Sequence, residues 1–142
     1  MKKKILILCT GLLLAILLCA CDVKGNPLPE GMEESAVLAA GEEVLNEILA
    51  EDWQAVYDRL RDDAKAQTDS PDAIRAHVEA IWEKVGAFKS TKDSMTTGQK
   101  LKESGEQYAT VVFYCQHEKN QAMYRIAFST ELELIGLQVT KQ

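Results

Sequence analysis

The chain has 142 residues, with 22 Asp and Glu against 16 Lys and Arg, a formal net charge of −6. Acidity of that size disfavours nucleic acid and anionic membrane surfaces as binding partners, because both would repel it. The length suits one domain with one core, and no internal repeat divides it.

Lys2, Lys3 and Lys4 precede residues 5–18, which carry no charge. A helix that crosses the hydrocarbon core needs about 20 apolar residues. A basic start, an apolar run of roughly 7–15 residues and a small residue before the cut describe an export signal instead. The run ends in Leu18-Cys19-Ala20-Cys21, which resembles a bacterial lipobox: a branched apolar residue, a variable one, a small one, then the modified cysteine. Cys19 fails the pattern because Leu18 precedes it, whereas Cys21 follows Ala20 and has Leu18 three positions back. The resemblance implies cleavage after Ala20, a diacylglycerol on the Cys21 sulfur, and a chain lipid-anchored to the cell membrane and facing the extracytoplasmic side. Two acyl chains make such anchoring durable. An uncleaved anchor, or a plain signal cut nearby, would also leave the rest of the chain outside the cytoplasm.

Loss of residues 1–20 removes three lysines and no acid, leaving 13 basic against 22 acidic residues, a net charge of −9. It also removes Cys9 and Cys19; with Cys21 lipidated, Cys115 is alone and no internal disulfide forms. Cys115 ends the apolar run VVFYC, where a free cysteine behaves as a small buried hydrophobe. A reactive thiol would need a cationic neighbour to lower its pKa, and none is evident. Residues 21–33 are the lipidated cysteine and a tether, DVKGNPLPEGME, with two prolines and two glycines and little to bury. Residues 34–142 form the domain.

Three helices come first. Val37, Leu38, Gly41, Val44, Leu45, Ile48 and Leu49 recur at three- and four-residue intervals and make one stripe. Asp52 can cap a short second helix whose Trp53, Val56, Tyr57 and Leu60 share a face. RDDAKAQTD reads as its solvated exit. Ser70-Pro71-Asp72 starts a third helix with a capping hydroxyl, a proline at the first position and an acid in the first turn. Its stripe is Ile74, Val78, Ile81, Trp82 and Val85, and Gly86 can end it.

Strands follow. The polar stretch 87–101 reads as a long edge strand whose lysines discourage edge-to-edge pairing. Residues 108–117, 122–129 and 134–140 are rich in β-branched and aromatic side chains, with short connections. Their inward faces are Val111, Phe113 and Cys115; Tyr124, Ile126 and Phe128; and Ile135, Leu137 and Val139. Helices first and antiparallel strands after make an α+β fold, three helices on one face of a four-stranded sheet.

The order EEVLNEILAEDWQAVYDRL, IWEKVGAFKS and then strands ending in ELIGLQV resembles a domain family of unknown function found on exported lipoproteins of Gram-positive bacteria. The features are an apolar helix, the step Glu51-Asp52-Trp53, Trp82 and Gly86 before the first strand, and a glycine within Leu134 to Leu137. That family is similar to the cone-shaped superfamily named after nuclear transport factor two. The resemblance implies a curved sheet wrapped around helices with a pocket at the open end, in a superfamily that holds isomerases, dehydratases and many non-catalytic binding domains. Fold alone does not choose among them.

Enzymes of such a shape aim an acid or histidine into an apolar cone, and no carboxylate lies on the expected inward faces. His77 falls on the stripe of the third helix between Ile74 and Ile81. There it is either a core or rim histidine bonded to a backbone carbonyl, or a ligand-contacting group. His117, at a strand end beside a turn, reads as solvated. Two distant histidines and one thiol supply no metal cluster, since a site needs three or four convergent ligands, and no cofactor motif is present. Trp82, Tyr114 and Tyr124, with Trp53 and Tyr57, either line a pocket or are plain core. The expected function is a lipid-anchored, non-catalytic domain that binds a small molecule, a peptide or an envelope protein, with a homodimer through the open sheet face as one arrangement. The alternative is an isomerase- or hydrolase-like enzyme that pairs His77 with Tyr124 or Tyr114.

Overall fold

A computed structural model describes residues 25–142. The expected signal at 1–20, the expected lipidation site Cys21 and residues 22–24 of the expected tether lie outside the described residues.

Among the described residues, four helices precede four strands. Helix α1 runs Glu34–Leu49 and buries Val37, Gly41, Val44, Leu45 and Ile48, the expected stripe. Helix α2, Trp53–Arg59, starts at Asp52, whose carboxylate accepts from the Ala55 N–H at 3.1 Å. The expected solvated exit is instead a separate helix, α3, Asp62–Thr68. It has no buried residue, so no apolar stripe announces it. What favours it is local: Asp62 and Asp63 lie in the first turn, where the helix dipole attracts negative charge. Helix α4, Pro71–Val85, begins at the expected proline, although Ser70 makes no side-chain cap bond.

The sheet is antiparallel in the order β1-β2-β3-β4, with β1 Phe88–Lys100, β2 Gln107–His117, β3 Gln121–Ser129 and β4 Leu134–Lys141. Val111, Phe113, Cys115, Tyr124, Ile126 and Phe128 point inward and join the helix stripes in one core. In β4 the expected alternation breaks. A bulge between Ala127 and Phe128 sets Leu134, not Ile135, opposite Phe128. Leu134 is therefore buried and Ile135 is not. One extra residue reverses which side chains face in.

Residues 25–29, expected as part of the tether, lie against β1. The Gly98 N–H donates to the Asn26 carbonyl at 3.0 Å, and the Asn26 N–H to Thr97 Oγ1 at 3.0 Å. Pro29 is buried, and Leu28 and Met32 pack against the core. The segment therefore covers part of the free edge of β1. The chain passes so close that a Cβ at Gly98 would stand 1.9 Å from the Pro27 oxygen.

Candidate functional site

A cleft of about 320 Å³ lies where α2, α3 and α4 meet the outer edge of β4. Its floor is apolar: Val56, Leu60, Ile74 and Leu134 are all core residues. The wall is assembled by the junction of α2 and α3. Leu60 bridges to Leu134, and the Arg61 N–H donates to the Leu134 carbonyl at 2.8 Å. The Arg61 guanidinium holds Asp63 at 2.7 Å and also grips Glu106. That hydrogen bonding pushes the Asp63 carboxyl down to about 2 and lowers Glu106 as well.

His77 stands on the other side of the cleft, on an exposed part of α4. Its Nε2 accepts from the Val139 N–H at 3.1 Å, a backbone amide rather than the expected carbonyl. A nitrogen that accepts carries no proton, so the neutral ring is the Nδ1–H tautomer. The bond also shows that Val139 presents its backbone off the sheet edge. Pairing between β3 and β4 is unbroken from Met123↔Thr140 to Ala127↔Gly136. In an antiparallel ladder alternate residues face the partner strand, so Leu137 presents its N–H and C=O off the same edge, into the cleft. The lip carries Asp69, whose φ of 65° is left-handed for a residue other than glycine.

A second polar constellation lies inside the core. His117 is 1% exposed, contrary to the solvated position expected of it. Its Nδ1 is 2.8 Å from the Gly86 carbonyl and its Nε2 is 3.0 Å from the Tyr124 hydroxyl. Tyr124 in turn accepts from Trp82 Nε1 at 2.9 Å. A carbonyl only accepts and an indole only donates, so the directions are fixed. Trp82 donates to Tyr124, Tyr124 to His117 Nε2, and His117 Nδ1–H to Gly86. Every group is satisfied and the ring is again the Nδ1–H tautomer. Burial pushes the Tyr124 hydroxyl up to about 12, against a smaller lowering by Trp82. Gly86 ends α4 at φ 81°, which aims its carbonyl inward at a conformation few other residues adopt.

The sequence could have shown His117. It follows Val111, Phe113 and Cys115 at the strand period of two, and so shares their inward face. The expected pocket residues His77, Trp82, Tyr114 and Tyr124 occupy three different places. His77 borders the cleft; Trp82 and Tyr124 belong to the buried chain; Tyr114 lies on the opposite sheet face, its hydroxyl 3.7 Å from Met95 Sδ. That outer face forms an open groove of about 520 Å³ lined by strand residues alone, among them Thr110, Tyr114 and Arg125. Cys115 is fully buried beside Thr91, and burial raises its thiol. Among the described residues no group of three or more His, Cys, Asp or Glu could hold a metal ion, and no helix is long and apolar enough to cross a membrane.

Four helices on one face of a four-stranded antiparallel sheet define an α+β domain with an open outer face. The chain belongs to the family described as protein of unknown function (DUF3887), matched over residues 41–137. Among solved structures it is similar to the NMR structure of a protein from Ruminococcus gnavus, at 21% identity and a TM-score of 0.63. The alignment covers 80% of this chain and 96% of that one, and shows the fold. No curated protein matches.

Proposed function

We propose that the chain is exported, lipid-anchored through Cys21, and carries a non-catalytic binding domain, related to the cone-shaped transport-factor superfamily, for a small molecule, peptide or envelope protein. The observation that carries the binding half is the edge cleft, with its apolar floor and a histidine whose Nε2 is already engaged by a backbone amide. A ring tied in this way positions a strand edge; that nitrogen is not free to take a proton from a substrate. An enzyme pairing His77 with Tyr124 or Tyr114 would need a tyrosine at the cleft, and neither lines it. The anchoring half rests on Leu18-Cys19-Ala20-Cys21.

Mass spectrometry of protein from the membrane fraction tests the anchor. The expected amino terminus is Cys21 carrying a diacylglycerol, and Cys21→Ser remains unprocessed. An unmodified terminus at Met1, or recovery from the cytosol, overturns it. A screen of ester and carbonyl substrates tests the other half: turnover that His77→Ala abolishes would establish the enzyme instead.

A further inference from the structure

We propose that the cleft at β4 is a site for the amino-terminal residue of a peptide-like ligand, an apolar residue with a free ammonium and its carboxyl group held in an amide. The inference rests on the binding function proposed above and names the chemistry of its ligand. A free strand edge is a template for main-chain hydrogen bonds from another molecule. The protein covers its own edges with unlike devices. At β1 the segment 25–29 does so, through the Gly98–Asn26 bond. At β4 the Arg61 amide takes the Leu134 carbonyl and His77 takes the Val139 N–H.

Between those two fastenings lies Leu137. Its N–H and C=O point off the edge, and among the described residues no backbone group outside the sheet engages them. One donor and one acceptor on a single residue are matched by the donor and acceptor of one ligand residue, its C=O receiving the Leu137 N–H and its terminal ammonium reaching the Leu137 carbonyl. A longer strand does not fit, because Arg61 and His77 close the slot at each end. Beneath lie the buried side chains of Val56, Leu60 and Ile74, which suit one branched apolar group. The lining contains no lysine or arginine, and Asp69 is its single carboxylate. With the chain acidic throughout, a ligand ammonium is attracted to the lip and a free carboxylate is repelled. The slot therefore favours an amino-terminal residue with its carboxyl group held in an amide.

Leucine N-methylamide carries all three features, so it is the probe. Titrated into the ¹⁵N-labelled full chain in detergent micelles, it should shift the Leu137 amide and the His77 ring saturably. Isoamylamine, which keeps the ammonium and the branched apolar group but lacks the carbonyl, should bind about tenfold more weakly, the effect of one hydrogen bond. N-acetyl-leucine N-methylamide, which lacks the ammonium, should also be weaker. Leu137→Pro removes the outward N–H and should abolish the response. Should that variant lose its dispersed spectrum, Ala73→Leu fills the cleft from the exposed side and must abolish it too. Equal affinity for leucine N-methylamide and isoamylamine overturns the proposal, and so does the absence of any saturable shift. Shifts centred on Thr110 and Arg125 of the outer groove would overturn this placement while leaving a binding domain in force.

Discussion

Tyr124 joins two ring nitrogens that have no other partner in the buried chain, donating to His117 Nε2 and accepting from Trp82 Nε1. Phenylalanine fills the same space but leaves His117 Nε2 without a donor in a site closed to water. An orphaned buried polar group costs about 1–3 kcal/mol, and half-buried Trp82 adds less because it can reach solvent. Tyr124→Phe should therefore lose about 2–3 kcal/mol in urea denaturation. Tyr114→Phe, whose hydroxyl meets only a thioether sulfur, should lose under about 1 kcal/mol. The same hydroxyl makes the domain sensitive to alkali. Its folded-state pKa is raised to about 12 from an ordinary 10, so folding favours the neutral phenol. The stability this provides is complete below pH 10 and is lost as the pH rises through 12. By linkage it amounts to at most about 2–3 kcal/mol. Ultraviolet titration should show a phenolate step near pH 12 that Tyr124→Phe removes, and the fall in stability across that range should be smaller in the variant.

At the level of elements, what could be read from the chain is what periodicity records. The stripes of α1 and α4 and the alternation of β2 and β3 follow from burial on one face, and each has enough apolar residues to show it. Helix α3 has only alanines, charges and the polar Gln67 and Thr68, so composition alone could not separate it from an exposed loop. The bulge in β4 is invisible for another reason: LELIGL alternates acceptably in either register, and only the pairing with Phe128 decides that Leu134 goes in. The cleft was not legible because the polar groups along its β4 edge are backbone atoms. A side chain at 77 could be noticed, but the outward amides of Leu137 and Val139 exist only once β4 is an edge. The docking of residues 25–29 was hidden likewise, since its main sequence mark is an absent side chain at Gly98. Gly98→Val places a Cβ against the Pro27 carbonyl and must displace the segment. Valine also suits a strand better than glycine, so the global loss should stay near 1–2 kcal/mol while the local effect is sharp. Hydrogen exchange should show the Gly98 position unprotected and residues 25–32 open to proteolysis, with β2 and β3 unchanged.

For the whole molecule, the two sheet edges have opposite fates. The chain enters the fold at Gly25, against β1, four residues after Cys21. Whatever their conformation, four residues span at most about 14 Å. With Cys21 anchored as proposed, the β1 edge must therefore stay near the headgroups. The cleft lies beyond the far edge, past β2, β3 and β4, and strands spaced about 4.8 Å apart put three further spacings between it and the anchor. A membrane-proximal β1 and a membrane-distal cleft suit a domain that samples ligands from the surrounding medium rather than from the bilayer. Lipid vesicles carrying a gadolinium headgroup label should broaden the amide signals of residues 25–32 and of β1 in the lipidated protein. Ile74, His77 and Leu137 should be broadened far less. Equal broadening at both edges would mean that the domain tumbles free of its anchor, and the docked segment would then have to detach in the anchored state. In that case Gly98→Val should leave the broadening pattern of the lipidated protein unchanged, whereas a docked segment predicts that the same substitution evens it out.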